Sequence, residues 1–297
     1  MINLFQQRDF GDKINVTFQY VSQNFRSLGL SLLYIVGPVA LIAGIASGIF
    51  QSNILDLAKR KADFDPDDNP IAVFGLMSSI FSPVFWLTIF FGILAILVVS
   101  LTTYAHMKVY ARKNGEFVTV AEVWEEMQPA IGRGLIISLL GSIITGVGFL
   151  FFIIPGIYVA VVLVLALAVT VFEGTDFGST WDRCFKLIRD KWWSTFGLVL
   201  VMGIISGIIG LIFTLPAGII NFFIGAKLLP DIGGFWVVLG NVIGTVGGTL
   251  LRSLIYVAIG FQYTNLVERQ EGRGLLSAID SIGTTPTQPR ATDEGEY

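Results

Sequence analysis

The feature that most constrains the fold is a run of 39 residues, 134–172, without a charged side chain. A transmembrane helix needs about 20 consecutive apolar residues, so this run is long enough to cross a bilayer twice. Ile154-Pro155-Gly156 interrupts the run near its middle, and a proline followed by a glycine marks a tight turn. The run therefore predicts a transmembrane hairpin with spans at about 134–154 and 157–173.

Four further apolar segments have the length of a membrane span. They predict spans at about 28–50, 83–105, 194–215 and 236–262. Charged residues make up only 14% of the chain, against about 25% in typical soluble domains. The sequence thus predicts an all-α polytopic membrane protein with six transmembrane helices in a single domain, residues 1–266. Residues 267–297 are expected to form a short amphipathic fragment and a disordered cytoplasmic tail.

Three segments that precede predicted spans share one amphipathic pattern, in which apolar residues recur at offsets of four, three and four positions. This spacing places the residues on one face of a helix, and such helices lie in the membrane interface. The residues are Ile14, Phe18, Val21 and Phe25; Val120, Trp124, Met127 and Ile131; and Trp181, Phe185, Ile188 and Trp192. The chain is interpreted as three units, each an interfacial amphipathic helix followed by two spans. Independent amphipathic linkers are the alternative.

Basic residues are distributed unevenly between the two predicted sides of the membrane. Fourteen Lys and Arg residues flank the spans on one side and four on the other. Because cytoplasmic flanks hold the excess of Lys and Arg, both termini are predicted to be cytoplasmic. The first residues lack the pattern of a secretory signal, so the first span is expected to remain as an anchor.

Arg252 is a charged residue about ten positions before the end of the last predicted span. A charge near mid-bilayer costs at least about 2.5 to 3.5 kcal/mol, so it normally faces a bundle interior or a water-filled cavity. The candidate partners are Asn241, Asn221 and Thr102, helix carbonyls, and Glu173 at a span end. Two interpretations stay open. In the first, Arg252, Asn241 and Asn221 form a polar site that binds an anion or a lipid phosphate, or that lines a polar pathway. In the second, the Arg252 side chain snorkels to the interface and fixes helix packing.

Residues suited to catalysis or metal binding are scarce. The chain has one cysteine, Cys184, and one histidine, His106, too few for a His/Cys metal cluster. His106 is interpreted as a membrane-interface residue.

The glycine-rich segment 240–248 lies within an apolar span, which favours close helix packing over a nucleotide loop. Segment 63–69 matches the first ligands of a calcium loop but lacks its turn glycine, so weak divalent binding is the alternative to a flexible loop.

These observations exclude several function classes. A net charge of −3 is too small to indicate a nucleic-acid partner. No nucleophile elbow, phosphate loop or zinc pair occurs in the sequence. We therefore expect no catalytic residue, no metal, no cofactor and no enzymatic activity.

The second half of the chain, about residues 130–262, resembles a known group of proteins. The residues that carry the resemblance are Ile154-Pro155-Gly156-Ile157-Tyr158, Glu173, Ser179, Trp181, Phe185 and Lys191-Trp192-Trp193. They are similar to residues of uncharacterised six-span bacterial inner-membrane proteins, and of the membrane domain fused to some glycerophosphodiester phosphodiesterases. The resemblance implies an all-helical fold in the bacterial inner (plasma) membrane. It carries over no catalytic residue, because the catalytic domain of those fusions is a separate soluble module.

Two functions are compatible with this pattern. The first is a non-enzymatic membrane module whose interfacial helices bind membrane lipids, a protein partner or a second copy of the chain. The alternative is a small-solute transporter or channel with a route beside Arg252 and Asn241. A hydrated cavity that reaches Arg252 would distinguish the transporter from the module.

Overall fold

The structure, a computed structural model, describes residues 2–62, 81–226, 234–272 and 276. Every regular element in these ranges is a helix. In chain order the helices are α1 (Phe10–Gln23), α2 (Phe25–Ser31), α3 (Gly37–Ala62), α4 (Pro83–Arg112), α5 (Val120–Phe151), α6 (Ile153–Leu163), α7 (Ala166–Glu173), α8 (Phe177–Ile188), α9 (Trp192–Gly225), α10 (Gly234–Leu251) and α11 (Ser253–Glu271). A π-helical turn, Leu32–Val36, joins α2 to α3. The predicted calcium-loop segment and residues 273–297, apart from Leu276, lie outside the described residues, whereas residues 267–271 of the predicted tail continue α11.

Within the described ranges, six helical stretches are long and apolar enough to cross a membrane. They are Phe25–Leu57, Pro83–Arg112, Val120–Phe151, Ile153–Glu173, Trp192–Ile224 and Gly234–Glu271. This confirms the prediction of an all-α polytopic membrane protein with six transmembrane helices. Most stretches extend past the predicted limits, because helices continue beyond the apolar segment that the bilayer requires.

The predicted interfacial helices take two forms in the structure. Helices α1 and α8 are separate amphipathic helices. The segment 120–131, by contrast, is continuous with the span that follows it, since α5 runs through Pro129 to Phe151. A capping box between Thr119 and Glu122 starts this long helix. The second amphipathic segment therefore forms the first turns of a span rather than a separate helix.

The face of α1 that packs against the rest of the protein differs from its most apolar face. Phe18 and Phe25, from the predicted pattern, are exposed. The buried residues of α1 are Lys13, Val16, Thr17 and Tyr20. In a bilayer, exposed apolar side chains contact lipid. The mixed polar face is therefore the one that turns towards the protein.

Glycines bring three spans into close contact. A Cβ atom at Gly48 of α3 would lie 2.7 Å from the Cα of Val238 in α10. On its other side α10 packs against α9, and a Cβ atom at Gly247 would lie 2.2 Å from the ring of Phe213. Only glycine allows backbones and rings to approach this closely. The glycine series of α10 thus packs helices, as predicted.

The N-terminal segment, the C-terminal ends of α4, α7 and α11, and helix α8 meet at one end of the bundle, which we call the basic end. The contacts that join them are Ile2 N to Tyr110 Oη (3.0 Å), Asn265 Nδ2 to Arg8 O (2.7 Å), Gln270 Nε2 to Lys186 O (3.0 Å) and Lys108 Nζ to Val171 O (2.7 Å). These contacts bring together the segments rich in Lys and Arg from which the orientation in the membrane was predicted. The side of the membrane that this end faces stays a prediction.

Candidate functional site

A cavity of about 180 Å³ lies at the basic end, between the N-terminal segment, the start of α9 and the end of α11. Its lining carries four cationic side chains and one carboxylate. They are Arg8, Lys13, Lys191 and Arg269, with Asp9. Neutral hydrogen-bonding groups in the lining come from Ser194, Gln262 and Asn265. We call this cavity the basic pocket.

Helical periodicity places most of these groups. Lys13 shares the buried face of α1 with Val16, Thr17 and Tyr20, since positions i, i+3, i+4 and i+7 align along a helix. Gln262, Asn265 and Arg269 follow the same spacing along α11. The first turn of α9 adds Ser194 from the third side. The pocket thus depends on three segments that are distant in sequence.

Lys13 is the most enclosed cation of the basic pocket, with 4% of its surface exposed. Its Nζ donates to Gln262 Oε1 at 2.7 Å and to Ser194 Oγ at 3.1 Å. Gln262 Nε2 in turn donates to Thr195 Oγ1 at 2.8 Å, which fixes the amide orientation. Among the described residues, no carboxylate forms an ion pair with Lys13. An ammonium group has three N–H donors, so one is left for a ligand.

The charge of Lys13 is only weakly compensated by its surroundings. The pKa of Lys13 is lowered from 10.5 to about 8, mainly by burial. The positive charges of Arg269 and Lys191 contribute to this lowering, and the carboxylate of Asp9 opposes it. A bound anion would stabilise the charged form of Lys13 and raise its pKa again. The electrostatics of the pocket therefore favour a negatively charged ligand.

The two arginines of the pocket are held by neutral acceptors. Asn265 connects them, because its Oδ1 accepts from Arg269 Nε at 2.9 Å and its Nδ2 donates to Arg8 O at 2.7 Å. Arg8 Nη1 donates to Leu4 O at 3.2 Å, and its guanidinium lies 5.2 Å from the ring centroid of Phe261. These contacts orient both guanidinium groups, and neither forms an ion pair with a carboxylate among the described residues, although the charge of Asp12 acts on Arg8.

A second charged cluster at the basic end is fully paired. Arg183 Nε donates to both carboxylate oxygens of Glu173, at 2.9 and 3.0 Å, and its Nη2 pairs with Glu271. Tyr263 Oη donates to Glu173 Oε1 at 2.8 Å. The cluster ties α7, α8 and α11 together. Glu173, a predicted partner of Arg252, is therefore bound to Arg183 instead.

His106 is fully buried within the protein, and its position at the membrane interface stays a prediction. The Ser27 hydroxyl donates to Val118 O at 2.6 Å, so its oxygen must accept from His106 Nε2 at 2.8 Å. His106 Nδ1 then accepts from Tyr20 Oη at 2.7 Å. Both ring nitrogens are thus used in linking α1, α2 and α4, and the ring is a structural connection.

The structure separates the three residues that the sequence grouped into a site. Arg252 lies at a break between α10 and α11, and its side chain is exposed. Asn241 Nδ2 donates to Val237 O of its own helix at 2.9 Å. Asn221 Oδ1 is buried without a hydrogen-bond partner among the described residues. No hydrogen bond in the described part of the chain joins any two of the three. Both interpretations of Arg252 stay predictions.

Sequence reasoning counted Lys13 only as a flanking basic residue. A signal for its role was present, because Lys13 lies on one helical face with Val16 and Tyr20. Gln262, at the end of an apolar span, was a second signal. Neither indicates which distant segment supplies the remaining cations.

Groups that could support other chemistry are weak candidates. Burial raises the pKa of the Cys184 thiol to about 12, so it is not a nucleophile at neutral pH. In the ranges that the structure describes, no group of three or more His, Cys, Asp or Glu residues could hold a metal ion. The basic pocket is therefore the strongest candidate site.

Comparison of the chain with known protein families, with characterised proteins and with solved structures finds no match in any of the three. The resemblance to six-span bacterial inner-membrane proteins stays a prediction. The function has to be argued from the geometry of the site.

Proposed function

We propose that the protein is a non-enzymatic, multi-pass membrane module that binds an anionic phospholipid in the basic pocket. The observation that carries this proposal is Lys13. It is a buried ammonium group whose side-chain hydrogen bonds, within the part of the chain that the structure describes, go to neutral acceptors, in a cavity with three further cations. We further propose that the basic end faces the cytoplasm of a bacterial cell, with the protein in the inner membrane.

The position of the basic pocket supports a lipid headgroup as the ligand. Trp192 and Trp193 directly follow Lys191 in sequence, and tryptophan is enriched at the level of the headgroups. The outward face of α1 presents exposed Phe18 to the lipid. A cationic cavity at this depth is within reach of lipid phosphate groups, which Lys and Arg bind through charge-assisted hydrogen bonds.

Replacing Lys13 by methionine is expected to weaken binding of dioctanoyl phosphatidylglycerol by about tenfold or more. Methionine keeps the length of the side chain and removes a charged hydrogen bond, which contributes about 1.5 to 3 kcal/mol. Titration of the purified protein, followed by native mass spectrometry, measures the fraction of protein that carries the lipid. Lys186→Met is the matched control, because Lys186 is exposed on α8 outside the pocket lining.

Lys191→Met tests the same pocket without altering a buried residue, since Lys191 is exposed. It is expected to weaken binding less than Lys13→Met and more than Lys186→Met. Equal affinity of all three variants and the unchanged protein would refute the proposed function.

Binding of phosphatidylglycerol is expected to weaken by about tenfold between pH 7 and pH 9. The pKa of Lys13 is lowered to about 8, so most of the ammonium is charged at pH 7 and little at pH 9. The phosphodiester itself does not titrate in this range. The same titration repeated at both pH values measures the change. The Lys13→Met variant should show a flat profile, and a profile as steep as that of the unchanged protein would assign the titration to another group.

A further inference from the structure

A groove of about 740 Å³ opens beside the basic pocket, between the start of α6 and the start of α9. Its lining combines three charged residues with a mainly apolar set. The charged residues are Arg189, Asp190 and Lys191, and the others are Ile154, Ile157, Tyr158, Trp192, Trp193, Ser194 and Phe196. Lys191 and Ser194 also line the basic pocket. The groove and the pocket are therefore adjoining parts of one surface.

Aromatic rings give the groove a fixed wall. Trp192 stacks between Tyr158 and Phe196, with ring centroids 5.8 and 5.3 Å apart and interplanar angles of 11° and 8°. Its Nε1 donates to Tyr158 O at 3.2 Å. Trp193 stands almost perpendicular to Trp192 and is 77% exposed. A large exposed indole beside a rigid aromatic stack offers apolar contact to a ligand.

We infer that the ligand is a lipid phosphate monoester whose phosphate lies in the basic pocket while an acyl chain lies in the groove. This inference rests on the proposed function and specifies its ligand. An amphiphile has its charge at one end and its apolar part at the other, which fits a cationic pocket that adjoins a largely apolar groove. A water-soluble phosphate would occupy the pocket alone and leave the apolar lining unused.

The charge of the pocket selects the monoester. The pocket lining has four cations and one carboxylate, an excess that suits a ligand with more than one negative charge. A phosphate monoester carries about −1.5 to −2 at neutral pH, whereas a phosphodiester carries one charge. A choline headgroup would bring a further positive charge towards the four cations.

Four soluble probes separate the parts of this inference in native mass spectrometry at pH 7.5. They are dioctanoyl phosphatidate, dioctanoyl phosphatidylglycerol, dioctanoyl phosphatidylcholine and glycerol 3-phosphate. We expect phosphatidate to bind most tightly and phosphatidylcholine to bind most weakly of the three lipids. Glycerol 3-phosphate should bind at least about tenfold more weakly than phosphatidate, because it lacks the chains that the groove holds.

The groove is tested by a double variant, Trp193→Ala with Ile154→Ser. Both side chains are exposed, so the fold should be retained. We expect about fivefold or greater weakening of phosphatidate binding and no change for glycerol 3-phosphate. Trp236→Ala is the matched control, since Trp236 is also exposed and lies outside the groove lining.

The outcomes distinguish this inference from the proposed function. Phosphatidate binding that is lost in Lys13→Met but unaffected by the groove variant would overturn the acyl-chain position and leave the proposed function intact. Equal affinity for phosphatidate and phosphatidylglycerol would overturn the monoester preference. Equal affinity for phosphatidate and glycerol 3-phosphate would indicate a soluble phosphate as the ligand. Absence of binding by every anionic probe would refute both proposals.

Discussion

Replacing Arg183 by methionine is expected to destabilise the protein by about 3 kcal/mol and to lower its melting temperature by about 5 to 10 °C. Arg183 and Glu173 are largely enclosed, with 14% and 15% of their side chains exposed. Without the guanidinium, the carboxylate of Glu173 loses its ion pair and keeps only the hydrogen bond from Tyr263 among the contacts described above. Breaking a buried pair by removing one partner is costly because the remaining charge is left uncompensated.

Cys184 provides the measurement, because it is the one cysteine of the chain and is fully buried. A fluorogenic maleimide will react with its thiol only after the protein unfolds on heating. Lys186→Met is the control on the same helix, with an exposed side chain. A melting temperature for Arg183→Met equal to that of Lys186→Met would show that the Glu173 cluster contributes little to stability.

Replacing Gly48 by leucine is expected to have a similarly large effect, through packing rather than charge. A Cβ atom at Gly48 meets the Val238 Cα at 2.7 Å and the Val238 carbonyl oxygen at 3.1 Å. These are backbone atoms, so α3 and α10 must move apart to admit the new side chain. Overpacking costs about 1 to 3 kcal/mol, and we expect the melting temperature to fall by about 3 to 8 °C.

Gly203→Leu is the matched control, since no atom lies within 4 Å of the Cβ position at Gly203 in α9. Leucine has a higher helix propensity than glycine, so this variant should be as stable as the unchanged protein or slightly more stable. The same maleimide assay compares the two leucine variants. If both destabilise the protein equally, the loss cannot be assigned to the contact between α3 and α10.

Both substitutions also bear on the site. The Glu173 cluster holds α7, α8 and α11 together, and α11 supplies Gln262 and Arg269 to the basic pocket. Lipid binding should therefore weaken in Arg183→Met at temperatures where the protein is still folded. Gly48 lies on α3, which adds no residue to the pocket lining, and Gly48→Leu should lower stability with little change in lipid affinity.

Local patterns predicted the helices well, because each depends on neighbouring residues. The uncharged run 134–172 indicated a hairpin, and the structure forms α5 and α6 around Phe152. The glycine series of α10 indicated close packing, and Gly240, Gly244 and Gly247 do face α9. The continuity of segment 120–131 with α5 was not predicted, because an amphipathic start and an apolar continuation fit one helix as well as two.

The site was harder to predict, because it depends on residues far apart in the sequence. Lys13 forms hydrogen bonds with Gln262, which is 249 positions away in the sequence, and with Ser194, which is 181 positions away. Arg252 drew attention because a single charge in an apolar run is conspicuous. Its side chain is exposed in the structure, and the apolar pattern does not show on which side of the helix neighbouring spans pack.

The sequence by itself determined the class of the protein and the number of its spans, because the thickness of the bilayer's apolar layer fixes how long an uncharged helix must be. Only the tertiary structure decided which face of α1 is buried, which carboxylates are neutralised and which cations remain uncompensated. In a membrane protein apolar side chains lie both in the core and against lipid, so hydropathy cannot distinguish the two. The polar contacts between distant helices make that distinction, and they placed Lys13 within the basic pocket.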